Sequence, residues 1–420
     1  MPDQPGSAAT DAARRLLSAA AVRERAHALL EHGLAGRLAH FTIDLDRLGA
    51  AADEVVATIR QNYPTLEIPF HARWRHFSAG GLDRWGSIVP MAPWMDPGGM
   101  ARAAFDLAIV SVLLDAGVGP DWRYAEDRTG KRFSRSEGLA VASFEMFISG
   151  AFSSRPDDPF RVDAEALIAL TPQELASGFQ AGPQNPLLGI EGRARLLNRL
   201  GRVAAEHPET FGRVDSPRPG GLFDLFAAKA QGGIVSAPRI LDAILLHLGA
   251  IWPGRITLGG FDLGDTWRYP LGARAPAAAD ETADLVPFHK LSQWLAYSLI
   301  EPLTWAGVAV ADVDGLTGLP EYRNGGLFLD AGVIALKKPT DTDVAHEVGS
   351  PLVVEWRALT VDLLDRIAPL VRARLGLSAE ALPLAKVLEG GTWATGRRLA
   401  RERRPDGSPP LTVISDGTVF

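Results

Sequence analysis

Cysteine is absent from the 420 residues. Disulfides and thiolate metal ligands are therefore excluded, and an oxidising compartment has left no trace in the composition. An excess of one charge is lacking too: 43 Lys and Arg against 50 Asp and Glu give a formal net charge of −7, with the signs interspersed. Nucleic-acid binding needs a basic face, so no nucleic-acid partner is expected. No apolar run is long enough to span a bilayer; the longest, near Ala103–Leu114, is interrupted by Asp106 and Ser111. The start, MPDQPGSAATDAARR, has no basic segment followed by an apolar one, so it does not read as a secretory signal, and the cytoplasm is the expected location. Motifs of common enzyme classes are missing as well. There is no HExxH, no GxxxxGK phosphate loop, no GxSxG elbow and no GxGxxG after a strand. His71 and His76 stand five apart with Arg and Trp between them, which is not a metal-ligand spacing. Neither a metal nor a cofactor is expected.

What remains is ordinary globular material, 46% apolar and 22% charged, with ample residues for a core. Residues 1–10 read as a disordered lead. Helical spacing runs over Ala12–Gly33, Leu45–Asn62, Ala101–Ala116, Ser136–Phe152, Leu188–Glu206, Val286–Leu303 and Leu352–Leu375. Gly212–Gly221 is a Pro/Gly linker, and Arg274–Asp284 is an Ala-rich loop. Short strands are expected in Ile256–Pro270, and the tail Pro409–Phe420 reads as a strand pair turning at Asp416-Gly417. The expected class is mainly α with a few short strands. It would comprise an N-terminal helical lobe over 11–215 for substrate recognition and a C-terminal lobe over 216–420 for chemistry, joined as one integrated domain.

Three segments of the C-terminal half concentrate ionisable residues on apolar elements. In PFHKLSQWLAY, Lys290, Trp294, Tyr297 and Glu301 recur at steps of four, three and four, so they share one helix face. A lysine whose stem lies on aromatics with its head in water explains that pattern equally well. In LTGLPEYRNGG, Pro320 suits the first turn of a helix, which would set Glu321 beside the positive end of the helix dipole. A helix-start glutamate with no other task has the same signature. In VVEWRAL, Glu355 and Arg357 lie in so apolar a run that they need partners. An internal salt bridge is the structural reading; orienting Lys290 or Arg323 is the functional one. Together these residues describe a water-poor charged cluster. A neighbouring cation can lower a carboxylate's pKa by about 1–3 units, which would keep Glu321 ionised to stabilise an oxocarbenium-like centre or orient a water.

At these segments the chain resembles the uracil-catabolism protein family, long treated as a domain of unknown function. The resemblance covers nearly the whole chain and includes PFHARWRHF (69–77), PFHKLSQWLAYSLIEPL (287–303), LTGLPEYRNGGLFLD (316–330), VVEWRALTV (353–361), KVLEGGTW (386–393) and the terminal SDGTVF. It implies a place in a pyrimidine breakdown route that forms the nucleotide, opens its ring and releases urea through a ribosylurea-type intermediate. A more distant resemblance is to the queuosine-salvage nucleotide N-glycosidases, a helical family related to DNA glycosylases. It implies a DNA-glycosylase-like fold, with Lys290 matching their helix lysine and Glu321 their catalytic Asp. Tyr322 and Arg323 match directly, Glu355 and Arg357 match the third segment, and PLLGIEGRARLL (186–197) looks like the stretch before their catalytic half. Two departures stand out. Glu321 is one methylene longer than Asp, about 1.5 Å at the carboxylate, and the base-binding segment has only a loose counterpart around Asp115–Trp122.

The expected catalytic residues are therefore Glu321 and Lys290. Arg323, Tyr322, Trp294, Tyr297, Arg75, His76, Trp74 and Asp115 are expected to bind substrate, with Glu355, Arg357 and His289 supporting them from behind. The cluster Arg73, Trp74, Arg75, His76, Asp83 and Arg84 would hold a 5′-phosphate; a surface salt-bridge network around one packed Trp is the structural alternative. Three functions stay open: an N-glycosidic hydrolase acting on a small, nucleotide-derived ribosylurea; a hydrolase attacking the ureido carbonyl; and a non-catalytic partner of pathway enzymes.

Overall fold

The computed structural model describes residues 8–92, 94, 96–212, 217–252, 255–270 and 281–414. Helix dominates them. The strands are two or three residues long and pair only in twos, so the class is mainly α. The described residues form two compact units, each assembled from separated stretches. One draws on 8–71, 255–293 and 312–414, the other on 72–252 and 294–311.

The first unit is built around the helix Pro351–Leu375, which is buried without a break from Leu352 to Leu364. Pro351 opens it at a position whose N–H would be unpaired anyway, and Gly376 closes it at φ 69°, where a side chain would be strained. Helices Ala19–Leu34, Leu48–Asn62 and Tyr322–Asp330 pack against it. The expected helix Ala12–Gly33 is two helices, Ala8–Leu16 and Ala19–Leu34, because the Ser18 hydroxyl caps the second by accepting from the Ala21 amide at 3.2 Å. Ala8–Thr10, expected in a disordered lead, belong to the first. The C-terminal helices are Leu384–Val387 and Trp393–Arg403, joined by one π-helical turn, Leu388–Thr392. Gly391 in that turn lets the chain approach Leu48–Asn62, since a Cβ there would lie 2.5 Å from Val55.

Two strand pairs replace parts of the expected pattern. Leu285–Pro287 is a strand antiparallel to Thr266–Arg268, so the helix expected from Val286 begins only at Lys290 and runs to Trp305. Thr412–Ile414 in the tail pairs in parallel with Ala345–Glu347; the expected turn at Asp416-Gly417 and the strand after it lie outside the described residues. So do 274–280 of the expected Ala-rich loop and 213–216 of the expected linker.

In the second unit, Pro97–Leu113 and Arg135–Ile148 form the expected core pair. Asp106, fully buried in the first of these, is held by Arg218 and by the amides of Val162 at 2.9 Å and Gly220 at 2.6 Å. A cavity of about 630 Å³ in this unit is lined by Leu225, Phe226, Val235, Arg239, Leu246 and His247, among others, and by none of the residues singled out in the sequence. Among the described residues no helix is long and apolar enough to cross a membrane, and no three His, Asp or Glu side chains converge as metal ligands would.

Candidate active site

Glu321 sits earlier relative to its helix than the proline suggested. It is the N-cap of Tyr322–Asp330, in extended conformation at φ −107° and ψ 165°, and Pro320 precedes the cap. Its two carboxylate oxygens accept from successive amides, Arg323 N at 2.8 Å and Asn324 N at 2.6 Å. The side chain is therefore aimed by backbone on both oxygens, and each oxygen keeps a second lone pair. Asn324 is fixed in turn: its amide group donates to the Leu319 carbonyl at 3.1 Å and accepts from the Thr392 hydroxyl at 2.9 Å. The glycines of the motif serve close packing. A Cβ on Gly325 would lie 2.7 Å from the Trp356 ring.

Lys290 opens its helix. Its amide donates to the Asp265 carboxylate at 3.0 Å, and Asp265 is gripped by both terminal nitrogens of Arg357 at 2.8 and 2.7 Å. The Trp267 indole adds a bond at 2.7 Å. Burial alone would push the Asp265 carboxyl up, but these donors outweigh it and hold the group below its ordinary range. Arg357 thus has the partner its apolar setting demanded, and it acts on Lys290 through Asp265. Glu355 accepts from the amides of Ala39 at 2.9 Å and His40 at 3.0 Å and from the Tyr269 hydroxyl at 2.7 Å, which is the structural role. His289, just before Lys290, has φ 49° and directs Nε2 at the Leu16 carbonyl, 2.9 Å away.

Lys290 and Glu321 belong to the same unit and act on each other electrostatically. Burial raises the Glu321 carboxyl above its ordinary range; the Arg323 and Asn324 amides and the charges of Lys290 and His71 oppose this without cancelling it. Lys290 therefore does not hold Glu321 down, as the sequence suggested it would. Desolvation of an 8% exposed carboxylate is the larger effect. A carboxylate of raised proton affinity is the better base toward water.

His71, whose charge also acts on Glu321, is a residue that the sequence pattern did not single out as belonging with it. Its Nδ1 lies 2.7 Å from the Glu389 carboxylate, its amide donates to the Ala385 carbonyl at 2.9 Å, and its ring is 6.3 Å from that of Trp393. Glu389 lies in the π-helical turn. Both residues stand in strings that carry the family resemblance, PFHARWRHF and KVLEGGTW, and that was the available signal.

The other expected substrate residues divide. Tyr322 is 37% exposed at the helix start, and the Arg323 guanidinium, 5.2 Å over its ring, donates to the Gly407 carbonyl at 2.9 Å. In the second unit, Trp294 and Tyr297 are buried, with the Arg73 guanidinium 5.5 Å from the Trp294 ring and the His76 ring edge-on at 5.6 Å. Arg73 is fully buried against Asp115 at 2.7 Å and Ser111 at 2.7 Å. Arg75 pairs with Glu301 at 2.6 Å, and Arg84 makes a two-pronged pair with Glu126 at 2.6 and 2.7 Å. The Trp74 indole donates to the Ser298 carbonyl at 2.7 Å. Asp83 caps Arg84–Ile88. Each arginine expected to hold a phosphate thus meets a carboxylate of its own unit. The geometry of Arg73, Arg84, Trp74 and Asp115 is that of a structural network.

Comparison with known proteins agrees with these strings. A family model described as "Protein of unknown function (DUF1688)" matches residues 15–420. The "Protein urg3" of Schizosaccharomyces pombe is 39% identical over 423 residues, 98% of this chain and 100% of that one. The "Uracil catabolism protein 4" of Lachancea kluyveri is 38% identical over 414 residues, 91% and 92% of the two chains. The chain therefore belongs to the family described as Protein of unknown function (DUF1688).

Proposed function

We propose that this protein acts in uracil catabolism as an N-glycosidic hydrolase, cleaving a ribosylurea-type, ring-opened uridine nucleotide into urea and a ribose phosphate. The pathway rests on the Lachancea relative, a protein named for uracil catabolism. The bond rests on one observation: a buried carboxylate, Glu321, held on both oxygens by backbone amides, with its proton affinity raised by burial against the opposing charge of Lys290. Cleavage at the anomeric carbon needs a fixed carboxylate that accepts a proton from water as positive charge develops on the sugar. Glu321 meets that need, and the Lys290 charge works toward its ionised form against the larger effect of burial.

The test is product identity. Purified protein incubated with N-ribosylurea 5′-phosphate, and separately with the dephosphorylated compound, is expected to release urea together with the free sugar or sugar phosphate, read by mass. Ammonia and carbon dioxide released before any urea would instead mean attack on the ureido carbonyl. An inert chain that co-purifies with another enzyme of the route would mean a partner role. Either result rejects the glycosidase reading.

A further inference from the structure

We propose that the cavity of the second unit is a second ligand site, which binds a nucleoside 5′-monophosphate. Its volume of about 630 Å³ lies within the range of about 300–1,000 Å³ usual for small-molecule sites. Helices Leu222–Lys229 and Ala237–Leu248 line it, together with the parallel strand pair of Ile234–Ser236 and Ala309–Ala311. All of these belong to the second unit, whereas Glu321 and Lys290 belong to the first. The assignment therefore stands whether or not the hydrolase reading does.

The positive charge at this cavity is not neutralised from within. Elsewhere in the unit Arg73, Arg75, Arg84, Arg102 and Arg218 each form an ion pair with a carboxylate. Among the described residues Lys229 and Arg239, both on the cavity lining, form none. Their charges act on the groups around them. Burial, and after it the Lys229 charge, hold the His247 imidazole below its ordinary range; His207 adds to that shift and Glu209 opposes it. The single acid of the lining is Asp242, three residues after Arg239 on the same helix. Burial raises its carboxyl and Arg239 works against the rise. Two cations against one carboxylate of raised proton affinity leave an excess of positive charge. A cleft with apolar walls focuses that field on an anionic ligand.

The rest of the lining decides which anion. Ile234 and Leu246 are 50% and 54% exposed, large apolar side chains left open beside Leu225, Phe226 and Val235. They suit the flat face of a base. Polar groups come from both helices and from the segment between them, including Gln231 and Ser236, whose hydroxyl caps no amide of its helix. An ionised carboxylate only accepts hydrogen bonds, so Asp242 calls for a donor, which a ribose diol supplies. A fatty acid brings no such donor and would lay hydrocarbon over these groups. Among the lining residues Gln231 alone offers an amide to a base edge. Phosphate and sugar, rather than a particular base, therefore set the binding.

Equilibrium dialysis of the full-length protein tests this, with uridine and adenosine 5′-monophosphates, uridine and dodecanoate as probes. Both nucleotides are expected to fill one equivalent saturably below about 1 mM, and uridine to bind at least about tenfold more weakly. In the double variant Lys229→Ala, Arg239→Ala that equivalent is expected to weaken by at least about tenfold. Both side chains are exposed, so the variant keeps the fold. Ala243→Trp fills the cavity without changing its charge and is expected to abolish the same equivalent. Nucleotide binding unchanged in the double variant, or in a folded Ala243→Trp, overturns the assignment. So does uridine bound as tightly as its phosphate, dodecanoate bound in preference to the nucleotides, or no saturable nucleotide binding at all.

Discussion

Gln293 and Thr317 bind each other in both directions: the Thr317 amide donates to the Gln293 side-chain oxygen at 2.8 Å, and the Gln293 amide group donates to the Thr317 hydroxyl. Both are fully buried. The pair ties the first turn of the Lys290 helix to the loop that ends in Glu321, so it fixes the start of that helix against the approach to the cap. Neither residue carries charge, and neither belongs to the chemistry itself.

Replacing Gln293 by Leu is expected to remove that tie and leave the Thr317 amide buried without its acceptor. The cost is about 1–3 kcal/mol of stability. A larger relative effect is expected on turnover, because a site loosened by about 1 Å can lose 10²-fold in rate. Urea unfolding alongside kcat on the ribosylurea phosphate checks both. A variant that is destabilised but fully active would show that the pair serves the fold alone.

Glu321→Gln is less conservative here than its shape suggests. The two oxygens face two backbone donors, so one of them becomes an NH₂ group pointed at an N–H. The expected result is loss of about 0.5–2 kcal/mol from the helix cap, with a fall in turnover of at least about 10². Glu321→Ala loses the cap as well but brings no opposed donors. Comparing melting temperature and turnover for the two variants therefore separates capping from chemistry. If Glu321→Ala melts lower than wild type yet turns over normally, Glu321 is only a cap.

What was readable in the sequence follows from how local each signal is. The lysine, the cap glutamate and the buried Glu355 and Arg357 all stood out because each breaks the pattern of its own helix. Their partners did not. Asp265, which satisfies Arg357 from 92 residues away, lies among short strands where an aspartate is unremarkable. His71 and Glu389 are 318 residues apart, and periodicity cannot join them. The ion pairs of the stretch from Arg73 to Arg84 were hidden for a related reason. A run of arginines reads as an anion site until the carboxylates that neutralise it, Asp115, Glu301 and Glu126, are brought in from other elements. The helix start was misplaced relative to Pro320 because a glutamate that caps its own helix looks, in sequence, like one in its first turn.

The Asp265–Arg357 pair predicts an unusual response to pH. In the native chain the Asp265 carboxyl is held low, so its contribution is fully present above the unfolded value of about 3.9 and is lost as pH falls through the lower folded value. In Arg357→Met the same carboxyl is buried without its cation, and its folded value rises above the unfolded one. The variant is expected to lose about 3–5 kcal/mol at pH 7 and to recover part of it near pH 5. Parallel stability curves for wild type and variant between pH 5 and 8 would contradict the assignment of Arg357 as the group that keeps Asp265 charged.

His289 supplies the neighbouring test. Its ring is buried, Nε2 points at the Leu16 carbonyl, and Nδ1 has no hydrogen-bond partner among the described residues. Burial holds the imidazole below its ordinary range; the Leu16 carbonyl and Asp265 work against that shift, and the Arg357 charge adds to it. The folded chain thus keeps a neutral ring while the unfolded chain takes up a proton below about pH 6.5, so stability present above that pH is lost as pH falls toward the depressed folded value. One proton gives a slope of at most about 1.4 kcal/mol per pH unit. Asparagine tolerates the φ of 49° found at this position, so His289→Asn removes the titration with little backbone strain. Between pH 7.5 and 5.5 the variant should lose less stability than wild type in matched urea titrations. Identical slopes would mean that the ring is protonated inside the folded chain and that its seat at the start of the Lys290 helix is charged.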